Sequence, residues 1–304
     1  METDSVRHVR SFNRTVTQRI GALDDGYLGR GRPLGASRLL WELGPDDRDV
    51  RSVRARLDLD SGYLSRLLRT LERDGLVTVT PAPGDKRVRL VRLTEAGRVE
   101  REALDERSDD LAWSLLAPLD APRRARLVEA MGVVERLLTA GLVETRIEDP
   151  AGEVARSCLR AYAAELDERF PTGFDPDASL PTEAADLTEP AGLLLVGRLH
   201  GEPIGCGGLK LHGDGPAEIK RLWVAAPARG LGVGRRILIE LQDHARRRGA
   251  PAVRLDTNRA LREAIALYRS AGFVEVEPFN DEPYAHHWFE KDLRAGQAGP
   301  ARHA

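Results

Sequence analysis

Residues 217–249 read AEIKRLWVAAPARGLGVGRRILIELQDHARRRG, and the hydrophobic period of the chain changes inside this stretch. Ahead of Pro227, Ile219, Leu222 and Val224 fall in a short run suited to a strand. Beyond Gly232, Val233, Ile237, Leu238, Leu241 and Ala245 recur at helical spacing, with Arg235, Arg236, Glu240, Asp243 and Arg247 on the other face. A strand that feeds a helix through glycines leaves free backbone N–H groups at the positive end of the helix dipole. That is an anion site, and a pyrophosphate suits it. The dinucleotide fingerprint G-x-G-x-x-G fails, because Arg235 stands where the third glycine belongs, and no G-K-[ST] is present for a nucleotide P-loop.

What remains is R-x-x-G-x-G after the strand, in Arg229 to Gly234. The segment resembles the acetyl-CoA-binding segment of the GNAT family of N-acetyltransferases. The resemblance runs from about residue 145 to 293. Further on it is carried by Leu255-Asp256-Thr257-Asn258 and by Ala264-Ile265-Ala266-Leu267-Tyr268 followed by Gly272-Phe273. It implies that Leu222 and Val224 pair through backbone groups with the pantetheine arm of acetyl-CoA. The pyrophosphate would lie in the loop Arg229 to Arg235, on N–H groups of Gly230, Gly232, Val233, Gly234 and Arg235. Asn258 would hydrogen-bond the pantetheine, and Tyr268 would give a proton to the departing thiolate, unless it is only a helix aromatic capping the core. Glu218 opens the central strand; it is either the base that takes the amine proton, directly or through water, or a solvent-facing strand residue. Asp281, His286 and His287 fall where the last loops should border the acceptor. Cys206 reads as a small buried side chain.

A second constellation lies at Ser61–Asp74. Leu64, Leu67, Leu68 and Leu71 make a buried stripe, and Arg66, Arg69 and Arg73 lie mainly off it. Gly75 ends the helix, Leu76 to Thr80 starts a strand, Pro83-Gly84-Asp85 turns, and Val88 to Leu93 returns. Two short helices precede it, at about Pro33–Gly44 and Asp49–Leu57. Helices and hairpin together make a winged helix-turn-helix. The run Asp60 to Leu67, with Leu71-Glu72, Gly75-Leu76-Val77, Asp85-x-Arg87 and Leu93-Thr94, resembles the MarR family of transcriptional regulators over roughly residues 1–140. The resemblance implies that Ser61, Tyr63, Ser65, Arg66 and Arg69 face double-stranded DNA and that Arg87 on the wing is braced by Asp85. Val6, Val9, Asn13, Val16, Ile20 and Leu23 form a narrow helical seam. With the two helices expected between Thr94 and Gly141, it serves either a two-fold homodimer on a palindromic operator or an intramolecular packing.

The 304 residues suffice for two domains, and 41% hydrophobic with 31% charged residues excludes a disordered or fibrous chain. With a net charge of −2, DNA contact requires a local basic face. Two cysteines, Cys158 and Cys206, make no disulfide framework, and the scattered histidines give no metal spacing. The expected location is cytoplasmic, with no membrane contact. Glu144–Pro150 is polar and places a boundary near Leu142. The expectation is therefore a mainly α, MarR-like winged-helix domain over 1–142, an α+β GNAT acyl-CoA N-acyltransferase fold with a mixed central sheet over 143–293, and a disordered tail over 294–304. The activity implied is acetyl transfer from acetyl-CoA to an amine acceptor that the sequence does not identify, combined with transcriptional regulation. The alternative is a GNAT domain that senses acetyl-CoA or an amine without turnover. The acidic Asp167–Glu189 segment fits either a loop for a cationic amine or a solvated linker.

Overall fold

The computed structural model describes residues 2–44, 46–180 and 182–294, and their contacts divide into two units at Gly132/Val133. The expected tail lies outside the described residues from 295 onward. The first unit carries α1 (Glu2–Arg19), α2 (Leu34–Glu42), β1 (Arg48–Asp49), α3 (Val50–Leu57), α4 (Ser61–Arg73), β2 (Val77–Ala82), β3 (Asp85–Leu93), α5 (Glu95–Leu116) and the first turns of α6 (Ala121–Ala140). Two helices of the winged element, α3 and α4, start on a side-chain cap. Asp49 Oδ1 accepts from Arg51 N, and Asp60 Oδ1 accepts from Gly62 N at 2.9 Å and Tyr63 N at 3.0 Å. Such caps satisfy N–H groups that have no partner within the helix. Leu64, Leu67, Leu68 and Leu71 of α4 are buried against Leu39, Leu40, Val53, Val77 and Val91. The two-residue β1 pairs with β3, so the expected hairpin is a three-stranded sheet in the order β1-β3-β2. Thr94 Oγ1 accepts from Gly97 N and donates to Gly75 O at 2.6 Å, tying the start of α5 to the end of α4.

The second unit carries β4 (Glu144–Glu148), α7 (Glu153–Arg169), β5 (Gly192–Leu199), β6 (Glu202–Lys210), β7 (Ala217–Val224), α8 (Val233–Arg247), β8 (Ala252–Thr257), α9 (Arg262–Ser270), β9 (Val274–Val276) and β10 (His287–Asp292). The seven strands run β4-β5-β6-β7-β8-β10-β9, antiparallel except at β7/β8. This is the mixed sheet expected. Two stretches left unassigned by their sequence take definite form. The polar stretch around Glu144–Pro150 begins with an edge strand. An edge strand needs backbone pairing and little apolar side chain, and here Thr145 adds a hydrogen bond to Glu240 of α8 at 2.6 Å. The Asp167–Glu189 segment is no solvated linker, because Leu187 is buried over Gly208 and Asp186 pairs with Lys210 at 3.1 Å.

The core lies between the sheet and α8, whose Val233, Ile237, Leu238, Leu241 and Ala245 are buried. The helix comes this close because its footing is glycine. A Cβ on Gly207 would stand 2.7 Å from Ile237 Cγ2 and 3.0 Å from Leu241 Cδ1, and one on Gly197 would stand 3.1 Å from Val233. Gly207→Ala is therefore expected to overpack the seam and lower stability by about 1–3 kcal/mol, read from the urea unfolding midpoint. An unchanged midpoint would mean that α8 can rise off the sheet at no cost.

Candidate functional site

The parallel ladder between β7 and β8 stops almost as soon as it starts. Only Ala217↔Val253 and Glu218↔Arg254 pair, although β7 runs on to Val224 and β8 to Thr257. The register of β7 against β6 shifts between Cys206 and Gly208, and Arg221 of β7 sits at φ 56, in the left-handed region. This bulge turns β7 away from β8. A cavity of about 530 Å³ opens where the strands part. One side of it is formed by residues 219–222, Asp256, Thr257, Asn258 and Tyr268. The other side comes from α7 and the segment after it, with Tyr162, Phe170 and Phe174, and from the segment between β9 and β10, with Glu282 and Tyr284.

Leu222 and Asn258 are on the cavity wall, while Val224 lies beyond it on the same strand. Asn258 is already engaged: Nδ2 donates to Tyr284 O at 2.8 Å and Oδ1 accepts from Ala260 N. Tyr268 is buried, and no hydrogen bond of its hydroxyl is found among the described residues. Burial, with Asp256 adding to it, pushes the phenol well above the usual tyrosine range, so it is a proton donor at neutral pH. Glu218 is not solvent-facing. Its carboxylate is buried off the cavity wall, 3.3 Å from His212 Nε2 and 3.2 Å from Arg254 Nη2. Asp281, His286 and His287 do not line the cavity either, and His287 Nδ1 lies 2.6 Å from Glu275. Cys206 is fully buried, its thiol pushed up by the hydrogen bond it donates to Cys158 and by burial.

Beside the cavity, the turn into α8 holds Gly230 at φ 84 and Gly232 at φ 76, positions that favour glycine. No intramolecular acceptor is found among the described residues for the N–H groups of Gly230, Gly232, Val233, Gly234 and Arg235. They suit an anion with several oxygens, as a pyrophosphate has. The guanidinium of Arg229 is turned elsewhere, onto Glu165 of α7, which also accepts from Trp223 and Arg169. Burial raises the Glu165 carboxyl, and these three donors outweigh it and hold it low. Arg235 Nη2 donates to Ser270 Oγ at 2.8 Å. Both arginines thus fix the loop through side chains and leave anion contact to the backbone.

In the first unit Ser61, Tyr63, Ser65, Arg66 and Arg69 all lie on the exposed face of α4. The Arg66 guanidinium stands 5.7 Å from the centre of the Tyr63 ring. Arg87 is exposed on the wing. Asp85 braces it through the backbone, accepting from Arg87 N at 2.9 Å, rather than through an ion pair among the described residues. The cavity residues that sequence reasoning missed are Lys220, Arg221, Glu282 and the ring cluster Phe170, Phe174 and Tyr284. No local pattern marks a bulge at 221, and Tyr284 meets Phe170 and Phe174 from a distant part of the chain.

A family model described as the acetyltransferase (GNAT) family matches residues 159–273, and one described as the MarR family matches residues 30–88. An IAA acetyltransferase of Azospirillum brasilense is 35% identical over 121 residues, which cover 40% of this chain and 78% of that protein. An uncharacterized HTH-type transcriptional regulator of Bacillus subtilis is 29% identical over 86 residues, covering 28% of this chain and 52% of that protein. Among solved structures, a GNAT-family acetyltransferase of Staphylococcus aureus Mu50 aligns with a TM-score of 0.43 at 15% identity, over 50% of this chain and 99% of that one. Gly232→Glu would set a carboxylate and a strained left-handed backbone among the open N–H groups. Affinity for acetyl-CoA, measured by calorimetry, is expected to fall at least about tenfold; an unchanged Kd would remove this turn from the anion site.

Proposed function

The chain belongs to the GNAT acetyltransferase family and carries a MarR-family segment ahead of that domain, and from this premise we propose that it is an acetyl-CoA-dependent N-acetyltransferase that also binds DNA. The observation that carries the enzymatic half is the gap between β7 and β8. The unpaired run of β7 beyond Glu218 offers backbone groups to a pantetheine arm laid along Leu222 toward Val224. The glycine turn at the head of α8 receives the pyrophosphate, and the bound thioester supplies the acetyl group. The Tyr268 phenol, protonated through burial, gives its proton to the thiolate as the amine takes the acetyl group. Glu218 stands off the wall, so in this reading it takes the amine proton through water.

Tyr268→Phe is expected to lower kcat about 100-fold, with the KM for acetyl-CoA changed little. Glu218→Gln should also lower kcat, by about 100-fold. Coenzyme A release with a panel of amines measures both, and wild-type kinetics in Tyr268→Phe would dismiss Tyr268 as the acid.

The regulatory half rests on the exposed basic face of α4 and the wing. Val6, Val9, Phe12 and Val16 of α1 and Trp113, Val128 and Met131 of the following helices are exposed apolar side chains. In our reading a homodimer covers them and spaces two recognition helices on a palindromic operator. Arg66→Ala and Arg87→Ala should each weaken binding to the selected operator by about 1–3 kcal/mol, read by fluorescence anisotropy at fixed salt. Loss of neither interaction would reduce the winged helix to a structural platform.

A further inference from the structure

We propose that Arg221 holds a carboxylate of the acceptor, so that the amine acetylated here belongs to an α-amino acid with an apolar or aromatic side chain. The inference rests on the acetyl-transfer reading above and names the acceptor for the same cavity.

Two cations line that cavity, and they differ in what they hold. Lys220 Nζ lies 2.6 Å from Asp256 Oδ2, which neutralises it. Arg221 has no carboxylate within 4.0 Å among the described residues. The one hydrogen bond found for its side chain runs from Nη2 to Thr182 O at 2.8 Å. A guanidinium carries five donors in a planar fork that matches a carboxylate, so most of this fork is open to a ligand. The backbone presents it deliberately. In a regular strand residue 221 would face away from 220 and 222, yet the bulge brings all of residues 219–222 to the cavity wall. It does so in a left-handed conformation that long side chains seldom adopt, and such outliers gather at binding sites. The Arg221 charge is felt at the cavity wall: burial pushes the Tyr162 phenol up, Arg221 pulls against it, and Asp256 adds to the rise.

The far wall sets the rest of the molecule. Phe170, Phe174 and Tyr284 pack with ring centroids 5.0–5.9 Å apart. Leu159 and Tyr162 extend this surface. An acceptor that satisfies both walls is amphipathic, with an anionic group for Arg221 and an apolar body for the rings. An amino acid is the amine that carries both. The arginine is not needed for the pyrophosphate, because the turn over residues 229–235 contributes nothing to this cavity.

The test compares matched acceptors, phenylalanine against phenethylamine and leucine against 3-methylbutylamine, by coenzyme A release. Wild type, Arg221→Gln, Arg221→Lys and Arg221→Gly are compared. Wild type should prefer the amino acids, and Arg221→Gln should reduce the ratio of kcat/KM values about 10- to 100-fold, mainly through KM, as loss of a charge-assisted hydrogen-bonded pair does. Arg221→Lys should recover part of the ratio. Arg221→Gly relieves the left-handed backbone, so its loss of preference could not be ascribed to misfolding. Calorimetry of phenylalanine with the protein and coenzyme A reads the anchor without turnover. Amines turned over with no preference for a carboxylate, or a ratio that survives Arg221→Gln, would overturn this proposal and leave acetyl transfer standing. Arg221-dependent binding of phenylalanine with no turnover of any amine would support the anchor and sink the acetyl-transfer reading. Neither binding nor turnover would end both.

Discussion

The second unit depends on a hydrogen-bonded ladder that is not completed. Two pairs join β7 to β8, enough to fix their parallel register, and then the bulge at Arg221 turns β7 aside. A continuous sheet would satisfy every backbone group there and leave no room for a ligand. By parting, the strands expose backbone donors and acceptors to a cavity lined by Tyr268. The open groups cost free energy unless water or a ligand meets them, which suits a site meant to receive an extended, amide-bearing molecule. Lys220 and Asp256, paired across the opening, brace the strands where the ladder no longer does.

What keeps the opening in place is the helix behind it. Glycines 197, 205 and 207 let α8 settle on β5 and β6 with its apolar face fully buried, and that contact fixes where its N-terminus points. The same helix therefore supplies core and a turn with open N–H groups. Arg229 and Arg235 serve this placement from either side, one bound to Glu165 of α7 and the other to Ser270 at the end of α9. The two arginines of the R-x-x-G-x-G pattern are anchors on either side of a turn whose backbone N–H groups stay open.

In the first unit the controlling devices are caps. Asp49, Asp60 and Thr94 each start a helix with a side-chain oxygen, and Thr94 also ties back to Gly75. The caps leave α4 with one buried leucine face and one exposed face of arginine, serine and tyrosine. Glu100 adds rigidity on the far side: hydrogen bonding with Arg30 holds its carboxyl low, and Arg32 lies 3.0 Å from it.

Much of this was legible in the sequence, because it is written in short-range terms. The period change across Pro227, the leucine stripe of α4, the capping residues and the glycine turn are local signals. They name the two folds, the strand–turn–helix at the anion site and the outward-facing Ser61, Tyr63, Ser65, Arg66 and Arg69. Tyr268, which stands on the cavity wall, was singled out the same way, since its helix and the following Gly272-Phe273 are contiguous. Tertiary structure decided the rest. The edge strand β4 is polar and shows itself only by pairing with β5. Glu218 reads as solvent-facing or catalytic, and only His212 and Arg254, closing on it from other segments, show it buried. Arg221 looks like one strand arginine among many. Only the bulge, a property of how three strands meet, turns it into the cavity, and only the rings of α7 and the 284 loop give the cavity its far wall. Period and propensity act over a few residues, whereas a cavity is made by contacts between residues far apart in the chain.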